Sequence, residues 1–407
     1  MNKNNSSKNK KILILHPYKF TEFKTYTYEI ANLKKKYEVI IHDLSCVSSN
    51  KKYNEEWKTK KEKKSITFTS LYSWVREFNK IKKKENILVW DFLHYGSINF
   101  KVFIVQLILS FSRFPILKHG IVEVGCWTAE KNVKFFIEKI LEHKLNFNIY
   151  LHQCREFFFT KLISFLKFKK IFLLINKNIS NLENKKNLHF IKGHSFDYSN
   201  SLLEKNIKTK KIYIVYLDIG IPYFLGDAPS ENRDIIKINN NSYYKDLNLC
   251  FDKLEKFFKA KVIVIPHSKY KMPKLKKGNL NPYYKKRIND NSYNAAAKLI
   301  PNCLFVISNG STAISHAIIH YKPVVLFYTK KYKIYKWNQD KDIFFQANAI
   351  NAKLLDFAFY TKEHLMKIPK VSKRKYDLYK YNYLTHKSNK APKPIFKIIE
   401  NIIEKQI

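Results

Sequence analysis

The residues best suited to chemistry lie in the stretch CLFVISNGSTAISHAIIHYKPVVLFYT, residues 303–329. An apolar run over 304–307 predicts a strand, and Ser308, Asn309 and Gly310 predict a turn. Ser311 and Thr312 then open a helix, and a second apolar strand follows Lys322 and Pro323. A helix that begins on Gly, Ser and Thr at the carboxyl end of a buried strand gathers backbone N–H groups, its positive dipole end and two hydroxyls at one point. Those are the groups that hold a phosphate. They are also the groups of an ordinary helix start, where Ser and Thr are preferred whatever the function.

In open α/β sheets ligands bind beyond the carboxyl ends of the strands. From the first half of the chain this rule selects His16, Asp43, Asp91 with His94, and His194 with Asp197. From the second half it selects Asp218, His267 with Ser268, and the turn Asn309, Gly310, Ser311 and Thr312. Each of these is also a common capping or solvated residue; their shared position at strand ends joins them. A carboxylate or imidazole there can take a proton from a hydroxyl, and N–H or cationic groups can take up charge that accumulates on a phosphate.

The elements that must position these groups alternate. KILILHP predicts a strand ending at His16, a helical pattern follows over 26–36, and EVIIHDLS predicts a second strand ending near Asp43. Further strands are expected at 87–90, 149–151, 171–175 and 188–191, and helices at 70–83, 98–111, 129–143 and 156–168. Residues 50–64, without an apolar period, read as a surface loop. A polar segment over 205–210 precedes a fresh strand at 212–217. A helix at 244–258, a strand at 261–265, a helix at 293–300 and the unit described above come next. No internal repeat is visible. The expected class is α/β, with two Rossmann-like domains, 1–207 and 208–372, facing across a cleft, and a helical tail over 373–407 of which one helix crosses back to the first domain.

Composition narrows the partners. The net charge is +43, which by itself suggests nucleic acid or an anionic membrane. Only six of the 76 basic residues are arginines, however, and nucleic-acid readers rely on Arg for bidentate and stacking contacts. Nucleic acid is therefore not the expected partner, whereas attraction to anionic lipid stays open. The five cysteines, Cys46, Cys126, Cys154, Cys250 and Cys303, are far apart and form no CxxC, which suits a reducing compartment and argues against structural zinc. The apolar run 12–15 is too short for a signal peptide. The run VFIVQLILSF at 102–111 falls below the roughly 18 apolar residues of a membrane span. A cytoplasmic protein, peripheral to a membrane at most, is expected. The segment EFFFTKLISFLKFKKIF, 156–172, reads first as a core helix leading into a strand and second as a helix lying in a membrane interface.

The succession YLDIGIPYFLGDAP, KVIVIPHSKY and RINDNSYNAAAKLIPNCLFVISNGSTAISHAIIHYKPVVLF, about 211–330, resembles the donor-binding half of bacterial GT-B glycosyltransferases that build capsular and lipopolysaccharide sugars. Its acidic, His, Ser-Thr order is also similar to the motifs of bacterial sialyltransferases. The resemblance implies that Ser311 and Thr312 bind the donor phosphate and that His267 contacts it or protonates the leaving group. It makes Asp218 the base that deprotonates the acceptor hydroxyl. Ser268, Asn309, Gly310 and Ser315 complete the implied donor site, and Arg287 is either a neutralising cation there or a solvated loop residue. The family's His-Pro pair stands here as Pro266-His267. The second carboxylate of the acidic motif is absent beside Asp218, the nearest being Asp227. No DxD motif is present in the first domain, so no obligatory metal or other cofactor is expected beyond a nucleotide sugar, CMP-linked in the sialyltransferase case. The expected acceptor is a glycan or a lipid-linked glycan, and the resemblance makes the first domain the acceptor side, with His16, Asp91, His94, His194 and Asp197 as its candidate groups. A sugar-nucleotide epimerase, a glycerophosphate-type transferase and a non-enzymatic basic protein binding RNA or membrane are the competing readings.

Overall fold

The computed structural model describes residues 10–48, 62–82, 86–120, 147–176, 187–204, 212–220, 239–267, 283–288, 292–332, 339–359, 368, 370–389 and 391–406. They form two compact units. Among the described residues, the first takes those up to His194 and those from His386 on, and the second takes those from Ser195 to Thr385.

The first unit is built on seven parallel strands: β1 (Lys11–His16), β2 (Glu38–Asp43), β3 (Ser65–Thr67), β4 (Ile87–Asp91), β5 (Pro115–His119), β6 (Lys170–Ile175) and β7 (Leu188–Lys192). Their order is β3-β2-β1-β4-β5-β6-β7. Strands such as ILVWD are buried throughout, the pattern of parallel strands covered on both faces. Helices α1 (Leu71–Lys82), α2 (Phe100–Phe111) and α3 (Phe147–Ser164) follow the strands. Trp74 and Phe78 of α1 and Val102, Val105 and Leu109 of α2 pack on the face of the sheet that carries Leu13, Leu15 and Val89.

The second unit holds α4 (Phe196–Leu203), β8 (Tyr213–Leu217), α5 (Asn240–Phe258), β9 (Lys261–Ile265), α6 (Ala295–Leu299), β10 (Val306–Ser308), α7 (Ser315–Ile319), β11 (Val324–Tyr328), α8 (Gln339–Ile350), β12 (Lys353–Asp356) and α9 (Lys373–Tyr379). Its five parallel strands run β12-β11-β10-β8-β9. Alternate strand residues serve opposite faces. Ile214, Tyr216 and Val264 meet Tyr243, Leu247 and Phe251 of α5, while Val215, Leu217 and Val306 meet Ala317, Ile318, Ile343 and Tyr376. Both units are therefore Rossmann-like, as expected.

Several elements differ from expectation. Residues 149–151 belong to helix α3, because no Gly or Pro interrupts 147–164. The strand that occupies that place in the sheet is β5, a short run that opens on Pro115, a position where a strand tolerates proline. The helix expected over 26–36 is broken into turns Glu22–Thr27 and Ile30–Leu33 by Glu29, whose backbone is left-handed (φ 55°). The Glu29 carboxylate accepts the Phe396 N–H at 3.0 Å, a contact from the far end of the chain. The change of unit comes at Ser195, ahead of the 207/208 boundary. The Ser195 N–H donates to the Leu384 carbonyl (2.7 Å) and its hydroxyl caps α4. The tail also divides: α9 lies in the second unit, and the last helix, α10 (Ile395–Gln406), lies in the first. The helix expected at 129–143 lies outside the described residues.

Candidate functional site

The strand register of the second unit builds the site. Leu217, the last residue of β8, pairs with Ile265 of β9 on one side and Ser308 of β10 on the other. The next residues along these three neighbouring strands are Asp218, Pro266 followed by His267, and Asn309. The order β9-β8-β10 makes the gap between β8 and β10 the point where the chain's connections change face, the position where open α/β sheets bind ligands. Asp218, His267 and the Asn309–Thr312 turn, separated by up to 94 positions in the chain, thus share one sheet edge.

Asp218 is 2% exposed. Its N–H donates to the Ile265 carbonyl (3.0 Å) and its Oδ1 accepts the Gly220 N–H (2.7 Å), which holds the carboxylate at the strand end. Its negative charge adds to burial in raising the pKa values of Tyr216, Tyr243 and Tyr244. These hydroxyls therefore stay protonated and can donate. Asn309 is 7% exposed, and its Oδ1 has no hydrogen-bond partner. The Asn309 amide also bonds the Tyr243 hydroxyl, an interaction that opposes the rise in the tyrosine's pKa.

The turn itself is partly self-satisfied. Ser308 Oγ accepts the N–H groups of Gly310 (3.2 Å) and Ser311 (2.9 Å), and Ser311 Oγ accepts that of Ala313 (3.3 Å). A single 3₁₀ turn, Thr312–Ile314, leads into α7, which is only five residues long. The helix dipole is therefore smaller than the sequence suggests. An anion would have to displace a neutral hydroxyl acceptor, which a charged oxygen does with stronger hydrogen bonds. Gly310 (φ 108°) and Thr312 are exposed, and nothing approaches within 4 Å of a Cβ built on Gly310.

Two residues expected in the donor site have other roles. Ser315 is fully buried and donates to the Asp197 carboxylate on α4. Arg287 is committed to α5: its guanidinium donates to Asn248 Oδ1 (2.8 Å), Asp252 Oδ1 (2.5 Å) and Glu255 Oε1 and Oε2 (3.2 and 2.7 Å), and it lies over the Phe251 ring. It ties the 283–288 segment to that helix and is neither a solvated loop residue nor an uncommitted phosphate cation. Ser268 and Asp227 lie outside the described residues.

The acceptor-side candidates are distributed differently from expectation. His16 ends β1, buried, with Nδ1–H donating to the Tyr18 carbonyl (2.8 Å) and Nε2 facing the Tyr28 hydroxyl (3.3 Å). Burial, reinforced by Lys24, holds its pKa down to about 3, so it is neutral and a weak base. Asp91, at the end of β4 beside β1, is also buried and already engaged by the Leu93 N–H (2.9 Å), the Gln106 amide (2.8 Å) and Lys118 (3.5 Å). Asp43 accepts from the N–H groups of Phe20 and Ser45. These bonds make both carboxylates structural. His94 is exposed and packs against Tyr95, with ring centres 4.1 Å apart. His194 pins the returning chain through Lys393 (2.9 Å to its carbonyl). Asp197 belongs to the second unit, where it receives Ser315 and faces His316 at 3.8 Å. The sequence reading missed His316, whose Nδ1 meets Ser201 Oγ at 2.8 Å, and His119, which ends β5 and stacks on Trp90 and Phe92. His119 was legible only through the Pro115 strand start. Among the described residues, no group of three or more His, Cys, Asp or Glu is placed to hold a metal, and no helix is long and apolar enough to cross a membrane.

Neither a family model nor a curated protein matches this sequence. Among solved structures, the chain is similar to the glycosyltransferase SnogD from Streptomyces nogalater (9% identity, 97% of this chain and 99% of that one, TM-score 0.43). It is similar to a UDP-GlcNAc 2-epimerase from Methanocaldococcus jannaschii (14% identity, 91% and 98%, TM-score 0.43). A third similarity is to the wall teichoic acid polymerase TagF (10% identity, 99% and 92%, TM-score 0.43).

Proposed function

We propose that this protein is a GT-B-type glycosyltransferase that moves a sugar from a nucleotide-activated donor to a growing surface polysaccharide or lipooligosaccharide. The observation that carries the reading is the register that sets Asp218 and the Asn309–Thr312 turn side by side at the switch point of the second sheet. The donor phosphate sits on the turn, drawing the Gly310 and Ser311 N–H groups away from Ser308 Oγ and taking the Thr312 hydroxyl. His267, one strand over, contacts the same phosphate as negative charge grows on it. Asp218 takes the proton of the acceptor hydroxyl. The acidic, His, Ser-Thr order supports a CMP-linked donor.

Calorimetric titration with CMP, UDP, GDP and CDP tests the donor site, with Thr312→Ala alone and together with Ser311→Ala. Thr312→Ala isolates ligand contact, because Ser311 also caps the turn. Saturable binding of one nucleotide that weakens at least about tenfold in the single variant is expected, a loss of the order of one charged hydrogen bond. A folded protein that binds none of the four would overturn the reading. Conversion of a nucleotide sugar without acceptor and without net nucleotide release would assign an epimerase instead.

A further inference from the structure

Helices α2 and α3 of the first unit leave an apolar face in solvent. The rotation of α3 about its axis is set on its inner side. Phe159 packs against Phe100 and Phe103, with ring centres 6.0 and 6.1 Å apart. Glu156 Oε1 accepts the Ser97 hydroxyl (2.9 Å) and the Ile98 N–H (3.1 Å), anchoring the helix to the loop before α2. With that side fixed, Leu151 and Phe158, seven residues apart, share the outer stripe, and Phe165 follows in the turn that closes the helix, its N–H on the Leu162 carbonyl. Leu151, Phe158 and Phe165 are 47%, 57% and 78% exposed, Phe157 beside them is 66% exposed, and Phe100 of α2 is 58% exposed. Phe158 and Phe159 have ring centres 5.3 Å apart and Phe159 meets Phe100, so the half-buried Phe159 links the exposed rings of Phe158 and Phe100 across the two helices. Contiguous apolar surface of this kind marks an interaction site rather than ordinary surface.

The charges around the rings indicate the partner. Lys101, Arg155, Lys161, Lys167 and Lys169 are all exposed, and Lys161 Nζ lies 5.5 Å from the Phe157 ring centre. The only carboxylate in 151–170 is Glu156, which is bonded inward. A second copy of the same face would set like charges against each other. An anionic bilayer instead accepts the rings at the headgroup boundary and the lysine stems, with their ammonium groups reaching the lipid phosphates. We propose that the outer face of α2 and α3 docks this protein on an anionic lipid bilayer. The inference does not depend on the sugar-transfer reading.

Co-sedimentation of the full chain with vesicles of phosphatidylcholine alone, and of equal parts phosphatidylcholine and phosphatidylglycerol, tests it. Two triple variants are compared with the unaltered protein: Phe157→Ser, Phe158→Ser, Phe165→Ser, and Lys161→Gln, Lys167→Gln, Lys169→Gln. All six positions are exposed, and unchanged melting by circular dichroism verifies the fold. Partition onto the anionic vesicles is expected, with a loss on the order of 100-fold in the lysine variant and at least about tenfold in the phenylalanine variant at unchanged charge. No anionic-vesicle binding, or binding indifferent to the phenylalanines, would overturn the proposal. So would phenylalanine-dependent binding of single-stranded RNA in place of vesicles, or phenylalanine-dependent dimerisation without lipid. Nucleotide titration of the same variants separates this outcome from the donor site, which lies in the other unit.

Discussion

Residue type alone did not separate the polar groups that hold the fold from those at the switch point. Asp218, Asp91 and Asp43 each sit at the end of a buried strand, but Asp91 is enclosed by Gln106, Lys118 and the Leu93 N–H, and Asp43 by two backbone N–H groups. Asp218 stands between two strands that carry the other candidate groups. Asp218→Asn keeps the Oδ1 that accepts the Gly220 N–H, so folding and nucleotide affinity should persist while kcat falls by about 10²- to 10⁴-fold, the range of a lost general base. Steady-state kinetics beside calorimetry checks this, and unchanged kcat would remove Asp218 from the mechanism. Arg287→Ala should behave in the opposite way. It strips the charged hydrogen bonds to Asp252 and Glu255 and costs about 2 kcal/mol of stability, discounted for the partial exposure of both acids, with nucleotide affinity unchanged. A denaturant titration and a binding titration of the same preparation decide it; weakened binding without destabilisation would return Arg287 to the donor site.

At the scale of elements, two helices have roles assigned by contacts distant in sequence. Helix α10 closes the first unit by burying Ile395, Ile399, Ile402 and Ile403, and Glu29 receives the Phe396 N–H from its first turn. Ile399→Ala should cost about 2–5 kcal/mol, as buried large-to-small changes do. The loss should appear in first-unit peptides by hydrogen exchange; if second-unit peptides lose protection instead, α10 is placed wrongly. The periodicity of Ile in PIFKIIENIIEKQI made this an amphipathic helix from sequence, but only the fold shows which core receives it. Helices α4 and α7 are joined by Ser315 to Asp197 and by His316 to Ser201. Ser315→Ala should therefore lower the melting temperature and leave nucleotide affinity as it was. A selective loss of affinity would mean that Ser315 acts on the ligand after all.

For the molecule as a whole, buried histidines couple stability to pH. The first unit encloses His16, His42, His119 and His194. Burial is the leading cause that lowers their pKa values, to about 3 for His16, about 4 for His42 and His194, and well below the ordinary 6.5 for His119. The second unit has lowered values at His316 and His320. The unfolded chain protonates these rings near 6.5, whereas the folded chain resists protonation. Stability is thus fully present above that pH and is lost as pH falls toward 4, by about 1.4 kcal/mol per pH unit for each fully buried ring. Hydrogen exchange from about pH 7 to about pH 5, above the main carboxylate range, should show the first unit opening first; simultaneous opening of both would sink the attribution. By itself the sequence determined the α/β class, most strands, the switch-point turn and the candidate carboxylate. Apolar runs, helical periods and turn residues are local signals, and parallel strands buried on both faces announce themselves in such runs. The strand order, the unit that receives Asp197 and α10, and the commitment of Arg287, Asp91 and Ser315 to internal partners were decided only by tertiary structure. Each depends on a contact between residues remote along the chain, whose pairing no local pattern encodes.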